Sequence, residues 1–194
     1  MMRKIDNMLF DQQKKDCLNR IDKSIKQSID KEIKPLIDLI NNLDDYYTTS
    51  SCSGRILLIN KKTDKKKDIK FVFVEHKKTN FKDIKKSLQD TKNNIWLRQE
   101  SIILHVCCRN IEAAKKLLKI ARDSGIKRAG IININKRIII EIIGTESMET
   151  IITKNSKMLV DDNYLKILIG EANKKLDKNK NKINKLYQVI SSLV

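Results

Sequence analysis

Apolar side chains recur along this chain at two spacings, and each spacing is typical of one kind of secondary structure. Where apolar residues return every three or four positions, we expect one face of an amphipathic helix to lie on a core. This spacing predicts helices over residues 3–27, 30–40, 81–91, 110–124 and 162–192. Asp30 and Asn110 are the predicted N-caps of the second and fourth helices. The middle of the last helix is strongly polar, so its C-terminal part could project from the core.

Short runs of β-branched and aromatic residues indicate strands between these helices. The runs lie at residues 55–60, 69–75, 101–107, 129–134 and 137–144, with shorter strand-like pieces near 150–160. The helix at 110–124 joins two of these runs, and a strand–helix–strand unit of this length implies a right-handed parallel crossover. The tight turn that follows makes the next strand an antiparallel partner. The sequence therefore predicts an α+β fold, a single domain over residues 1–194 with a mixed β-sheet and packed helices.

A run of short polar residues, "YTTSSCSGR" at 47–55, separates the second predicted helix from the first predicted strand. We predict a loop here, between the helix and the strand. Its hydroxyls and backbone N–H groups together can bind a phosphate or a carboxylate. Gly54 permits close backbone approach, and Arg55 adds a forked, charged donor. The alternative interpretation is that these small residues only pack and cap a turn.

The charge of the chain favours a polyanionic partner. It carries 41 basic and 24 acidic residues, a formal net charge of +17. Residues 1–50 are neutral, with nine basic and nine acidic side chains, whereas residues 51–100 have fourteen basic and six acidic ones. Nucleic acid is the commonest partner of such a surface. A genome that fills solvated positions with lysine is the alternative explanation.

Several kinds of site have no support in the sequence. The five glycines, at positions 54, 125, 130, 144 and 170, form neither G-x-G-x-x-G nor a Walker loop, so a Rossmann-type site is not expected. The cysteines at 17, 52, 107 and 108 form no C-x-x-C pair, which favours reduced structural thiols over a metal site. No apolar run is long enough to span a membrane, and the N-terminus is too polar for a signal peptide. A cytoplasmic protein is expected.

The chain has only two histidines, His76 and His105. His105 has apolar neighbours in its predicted strand, which is typical of a core histidine. His76 follows a strand end, where a side chain is better placed for proton transfer or ligand contact. If residues 55–60 and 69–75 form a hairpin, Arg55 and His76 come to the same end of it.

Four segments resemble the wybutosine-synthesis tRNA methyltransferase family, called tRNA wybutosine-synthesizing protein 3 in eukaryotes. They are "YTTSSCSGRI" (47–56), "FVFVEH" (71–76), "ILHVCCRNIEAAKKLLKIARDSGIKRAGI" (103–131) and "EANKK" (171–175). The upstream "DKSIKQSID" (22–30) is similar to the family element D-x-S-x-K-G-x-x-D, with Gln27 in place of glycine. Glu75 stands where the family usually has serine before the histidine.

The resemblance implies an activity and a fold. The activity is transfer of a methyl group from S-adenosylmethionine to N-4 of 7-(3-amino-3-carboxypropyl)-demethylwyosine, next to the anticodon of tRNA(Phe). The fold is expected to differ from the usual methyltransferase fold, and no metal is expected. A non-catalytic basic RNA-binding module is the alternative, and a structural protein whose charge reflects genome composition is a third hypothesis.

The resemblance also implies roles for particular residues. His76 is the expected catalytic residue, either accepting a proton or orienting the substrate nitrogen. The expected cofactor-binding residues are Ser50, Ser51, Ser53, Gly54, Arg55 and His105. The expected substrate-binding residues are Lys26, Thr49, Arg109 and Asn173. The excess of basic residues in 51–100, rather than the resemblance, predicts contacts to tRNA phosphates. The lysines expected to make them are Lys61, Lys62, Lys65, Lys66, Lys67, Lys77 and Lys78.

Overall fold

The structure is a computed structural model that describes residues 2–19, 29–61, 68–89 and 94–192, with only the backbone of residues 2–7. Its helices are α1 (Met2–Leu18), α2 (Lys34–Asn42), α3 (Phe81–Leu88), α4 (Ile111–Asp123) and α5 (Asp162–Ser191). Its strands are β1 (Tyr46–Cys52), β2 (Arg55–Lys61), β3 (Ile69–Glu75), β4 (Ile95–Glu100), β5 (Ile103–Cys108), β6 (Arg128–Asn133), β7 (Ile138–Ile143), β8 (Met148–Lys154) and β9 (Lys157–Met158). The predicted α+β class is confirmed.

The chain divides into two compact units. The first unit comprises Met1–Ser53, Ile102–Thr145 and Asn181–Val194, and the second comprises Gly54–Ser101 and Glu146–Lys180. The first contains a four-stranded sheet in the order β1-β5-β7-β6, and the second a five-stranded sheet in the order β3-β2-β4-β8-β9. The single domain over 1–194 stays a prediction.

The expectation of one mixed sheet is wrong. In the described residues there are two sheets, and every pair of neighbouring strands is antiparallel. The predicted strand–helix–strand unit is present as β5, α4 and β6, but β7 lies between the two strands and is antiparallel to both. This arrangement arises because the tight turn after β6 returns the chain into the gap beside β5. The handedness of the unit stays a prediction.

The core of the first unit lies between its sheet and helices α2, α4 and the end of α5. The side chains there are apolar and almost fully buried, among them Ile37, Leu104, Leu117 and Ile140. Asn110 caps α4 as predicted, because its side chain accepts a hydrogen bond from the Ala113 N–H at 2.8 Å. The other predicted cap, Asp30, is wrong. Helix α2 begins after Ile33 without a side-chain cap, and the Asp30 carboxylate accepts hydrogen bonds from Ser53 instead.

The core of the second unit lies between one face of its sheet and helices α3 and α5. It includes Ile56, Leu58, Ile84 and Leu97, with Leu165, Leu168, Ile169, Ala172 and Leu176 from α5. The last turns of α5 place Ile183, Leu186 and Ile190 in the core of the first unit, so they are packed rather than projecting. Within the described residues, no helix combines the length and the apolar character that a membrane span requires.

Candidate active site

The hydroxyl-rich segment is a strand and not the predicted loop. Residues 46–52 form β1, which pairs with β5 from Tyr46↔Cys108 to Cys52↔Ile103. Tyrosine and threonine fit a pleated sheet, and the pairing with β5 satisfies the backbone groups of a segment whose small side chains suggested a turn. The register shifts between Thr48 and Ser50, so Thr49 is the extra residue of a β-bulge. Bulges re-aim side chains and are common beside active sites.

Three hydroxyls of this segment are used by the fold. Asn41 Oδ1 accepts hydrogen bonds from the N–H and the hydroxyl of Thr48, at 2.8 and 3.1 Å. The Thr49 hydroxyl donates a long bond of 3.5 Å to the His105 carbonyl. Ser53 is 2 % exposed, and its N–H and hydroxyl donate to Asp30 Oδ2.

Two serines of the segment have hydroxyls without a partner in the described residues, and they lie on opposite faces of the sheet. Ser50 pairs with His105, whereas Ser51 pairs with Leu104 of the core. Side chains of directly paired residues lie on the same face, and neighbours along a strand point to opposite faces. The Ser50 side chain therefore shares a face with the His105 side chain, and Ser51 does not.

His105 is at the centre of a polar row that crosses the whole sheet of the first unit. The row runs Ser50, His105, Glu141, Gly130 over β1, β5, β7 and β6. His105 Nε2 lies 2.9 Å from Glu141 Oε1, and the two side chains are 25 % and 30 % exposed. His105 is thus half-buried and paired rather than a core histidine, and we name the three side chains Ser50, His105 and Glu141 the polar row.

Sequence reasoning missed Glu141. A signal was present, because Glu141 is the only charged residue in "IIIEII" at 138–143. Alternation along a strand puts it on the face opposite Ile140 and Ile142, which are fully buried. Its pairing with His105 depends on the register of β5 and β7, which the sequence does not display.

On the same face, an apolar cluster lies beside the polar row, two residues further along β5. Tyr47 and Cys107 pair across β1 and β5 and pack against Phe10 of α1, whose ring centroid lies 5.3 Å from that of Tyr47. Burial raises the pKa of Tyr47 and of Cys107 above their usual values, and it raises the pKa of Cys108 to about 12. All four cysteines are free. Thiols kept protonated by burial are poor nucleophiles, which agrees with the predicted structural role of Cys107 and Cys108.

Arg109, an expected substrate-binding residue, is held by the first unit itself. Its guanidinium contacts Asp11 at 2.7 Å, Asp45 at 2.9 Å and the Asp44 carbonyl at 2.9 Å, and it lies 4.5 Å from the ring centroid of Phe10. The hydrogen bond to Asp11 is the main cause that raises the pKa of Arg109. This network joins α1 to the start of β1, and a role of Arg109 in substrate binding stays a prediction.

In the second unit, Gly54 occupies a position that only glycine fits. Its φ is +91°, and a Cβ atom there would lie 2.6 Å from Asn179 Nδ2 and 2.7 Å from the Glu100 carbonyl oxygen. Arg55 follows at the start of β2, where its Nε donates to Glu100 Oε2 at 2.8 Å and its guanidinium lies 5.4 Å from the Phe71 ring centroid. Roles of Gly54 and Arg55 in cofactor binding stay predictions.

The hairpin of β2 and β3 confirms the expected placement of Arg55 and His76. Ile56 pairs with Glu75, so the start of β2 and the end of β3 lie at the same end of the hairpin. The segment after His76 is fixed by Asn173 of α5, whose side-chain amide accepts from the Thr79 N–H at 3.0 Å and donates to the Thr79 carbonyl at 2.8 Å. Asn173 thus holds backbone here, and its role toward a substrate stays a prediction.

The candidate phosphate-binding lysines differ in their surroundings. Lys61 is paired with Glu149, and its ammonium lies 4.4 Å from the Trp96 ring centroid. Lys77 is exposed, and Lys78 forms an exposed ion pair with Asp177 at 2.7 Å. The remaining lysine candidates, Lys62, Lys65, Lys66 and Lys67, lie outside the described residues. The substrate-binding candidate Lys26 and the departure from the family element at Gln27 lie outside them too.

Fold and site together define an α+β protein with antiparallel sheets, a half-buried histidine–carboxylate pair on a sheet face and no glycine-rich nucleotide loop in the described residues. Residues 12–192 match the family described as methyltransferase TYW3. The chain belongs to this family.

Similar proteins agree along most of the chain. It is 35% identical to the tRNA(Phe) 7-((3-amino-3-carboxypropyl)-4-demethylwyosine(37)-N(4))-methyltransferase of Archaeoglobus fulgidus, over 96% of this chain and 95% of that protein. It is 33% identical to the tRNA wybutosine-synthesizing protein 3 homolog of Danio rerio, over 97% of this chain and 77% of that protein. The solved structure of the PH1069 protein from Pyrococcus horikoshii has a TM-score of 0.89 and 30% identity, covering 95% of this chain and 97% of that one. The family and the non-Rossmann fold expected from the sequence are confirmed.

Proposed function

We propose that this protein transfers a methyl group from S-adenosylmethionine to N-4 of 7-(3-amino-3-carboxypropyl)-demethylwyosine in tRNA(Phe). The observation that carries the proposal is the family match over residues 12–192. It is supported by two archaeal relatives that bear this enzyme name. The chain is 35% and 36% identical to them and covers 95% and 90% of their lengths. The nucleoside at position 37 of the tRNA is therefore the proposed substrate.

The Ser50 end of the polar row fits the polar end of S-adenosylmethionine. When bound, this cofactor supplies a methyl group on a positively charged sulfur. Its amino-acid end carries an ammonium and a carboxylate, which need short polar partners. The Ser50 hydroxyl can serve either group, since a hydroxyl both donates and accepts, and it has no partner among the described residues. Ser51, on the other face, is a weaker candidate.

The charge of the chain supports tRNA as the macromolecular substrate. The chain has a net charge of +17. Its lysines and arginines can make the phosphate contacts that dominate the affinity of proteins for nucleic acids. The anticodon region is the proposed place of contact, because the proposed nucleoside lies next to the anticodon. We place the reaction in the cytoplasm, in agreement with four free cysteines.

The test uses purified protein, trideuteromethyl-labelled S-adenosylmethionine and tRNA(Phe) that carries the demethylwyosine derivative. We expect one hydrogen of the tricyclic nucleoside to be replaced by a trideuteromethyl group, as measured by mass spectrometry after digestion. The matched control is the same tRNA with unmodified guanosine at that position, which should gain nothing.

Binding measurements separate this proposal from the alternative. Stabilisation of the protein by S-adenosylmethionine in a thermal shift supports the methyltransferase. Tight tRNA binding with no label in the tricyclic base would instead indicate a non-catalytic RNA-binding module and overturn the proposal.

A further inference from the structure

We propose that Glu141 fixes the His105 ring so that His105 Nδ1 accepts the proton lost when the substrate nitrogen is methylated. This inference rests on the proposed function and adds a positioning residue to it. His105 then acts as the general base, and Glu141 acts through His105.

The geometry fixes which ring nitrogen faces the carboxylate. His105 and Glu141 are directly paired on neighbouring strands, and Nε2 lies 2.9 Å from Oε1. A carboxylate only accepts hydrogen bonds, so Nε2 carries the hydrogen, and in a neutral imidazole the other nitrogen is then an acceptor. Among the described residues, no other group bonds to the His105 ring. Nδ1 therefore has a lone pair available to a bound molecule.

The row is also reachable. The neighbour of Glu141 on β6 is Gly130, and a Cβ atom there would have nothing within 4 Å. Since Gly130 has no side chain, the sheet face is open beside Glu141. The His105 and Glu141 side chains are nevertheless about three-quarters covered, so their hydrogen bond is stronger than it would be in bulk water. A largely covered base next to an open surface suits a substrate that enters from one side.

The proposed reaction requires such an acceptor. The substrate nitrogen forms its new bond to the methyl carbon while the carbon–sulfur bond breaks and its electrons remain on sulfur. The nitrogen would keep a positive charge unless its hydrogen leaves, and His105 Nδ1 takes this proton. The resulting imidazolium is stabilised by the Glu141 carboxylate at Nε2, in the way that a carboxylate orients and supports a histidine base in other enzymes.

Nitrogen-15 NMR tests the tautomer without any ligand. The chain has only two histidines, so the spectrum of His76→Ala assigns the His105 signals directly. We expect a protonated Nε2 and an unprotonated Nδ1 in the neutral ring of the wild-type protein. In Glu141→Ala we expect a mixture of both tautomers. A His105 ring with its proton on Nδ1 in the wild-type protein would overturn the proposal.

Single-turnover kinetics at saturating S-adenosylmethionine and tRNA test the catalytic part. General bases contribute roughly 10²–10⁴-fold, so we expect a loss of that size in His105→Ala and a loss of at least about tenfold in Glu141→Gln. Glutamine still accepts a hydrogen bond from Nε2–H but cannot stabilise the imidazolium by charge. Titration calorimetry should give unchanged affinity for S-adenosylmethionine in Glu141→Gln.

The control variant is Glu112→Gln, which removes an exposed carboxylate of α4 and should keep the wild-type rate. If the wild-type protein methylates the tRNA and Glu141→Gln reacts at the wild-type rate, the role of Glu141 is overturned and the function stands. If His105→Ala loses only affinity for S-adenosylmethionine, His105 is a cofactor contact and not the base. If the wild-type protein transfers no methyl group, the proposed function fails and this inference fails with it.

Discussion

Asp30 Oδ2 accepts two hydrogen bonds from Ser53, one from its backbone N–H at 2.9 Å and one from its hydroxyl at 3.2 Å. Both residues are buried. Asp30 is the last residue of the motif-like "DKSIKQSID", and Ser53 follows the last residue of β1. The carboxylate that the sequence assigns to a helix cap therefore fixes the end of the hydroxyl-rich strand within the first unit.

Asp30→Ala is expected to lower the free energy of unfolding by about 1–3 kcal/mol, because it leaves the buried Ser53 N–H without this acceptor. Ser53→Ala removes only the hydroxyl and should cost about 1 kcal/mol. Urea denaturation of the two variants measures both values. Equal losses in the two variants would show that the N–H bond does not contribute.

Gly54→Ala should be the most destabilising of three glycine substitutions. It combines a φ of +91° with overlaps on Asn179 and on the Glu100 backbone, and strain at such a φ costs about 1–3 kcal/mol before any overlap. Gly125→Ala has the same φ and no neighbour within 4 Å, so it measures the strain alone. Gly170→Ala lies inside α5 with nothing within 4 Å, and it should stabilise by about 0.4–1 kcal/mol. If thermal and urea unfolding show that Gly54→Ala is at least as stable as Gly125→Ala, the neighbouring atoms move and relieve the overlap.

The elements that the sequence predicted well are those set by local chemistry. The Asn110 cap and Gly125 delimit α4, and β3 is predicted at its observed bounds. The strand β4 was not predicted, although Ile95, Leu97 and Gln99 are buried and alternate with half-buried residues. A short strand of mixed polarity is hard to predict from its own residues, because its pairing partners stabilise it. One partner of β4 is β8, some fifty positions further along the chain.

In the candidate site, too, some residues could be predicted from the sequence but the pairing of strands could not. The hydroxyl segment and His105 were found from residue type, but the strand character of 46–52 depends on pairing with β5. Glu141 became visible only through the register His105↔Glu141. A one-residue shift of that register would put Glu141 on the other face, so the histidine–carboxylate pair is a property of the fold and not of either segment.

Arg55→Lys tests the prediction that the planar guanidinium holds an anionic group. The variant keeps the charge near Glu100 but loses the forked donor. Charge-assisted hydrogen bonds contribute about 1.5–3 kcal/mol, so methyl transfer under subsaturating conditions should fall by about tenfold or more. The half-buried ion pair with Glu100 should itself contribute about 1 kcal/mol to stability, which urea unfolding checks. Full activity in both Arg55→Lys and Arg55→Ala would show that Arg55 only covers the sheet.

Salt dependence tests the predicted phosphate contacts of Lys77 and Lys78. Removing one lysine–phosphate interaction should reduce the slope of log affinity against log salt by about 0.7–0.9. The double variant Lys77→Gln/Lys78→Gln should therefore reduce the slope for tRNA by about 1.4–1.8. Lys119→Gln, an exposed lysine of α4 paired with Asp123, is the control outside the basic segment. A wild-type affinity that is flat between low and moderate salt would contradict electrostatic binding altogether.

The two histidines are competing candidates for the proton acceptor, and one experiment separates them. The sequence pattern favours His76, which follows the end of β3. We favour His105, as proposed above, because the Glu141 carboxylate at 2.9 Å fixes its tautomer and supports its charged form, so we expect His105→Ala to lose the chemical step. His76→Ala should keep the single-turnover rate once S-adenosylmethionine and tRNA are saturating. The opposite result, a slow His76→Ala and a fast His105→Ala, would assign the proton to His76 and leave the pairing of His105 with Glu141 a structural contact of the sheet.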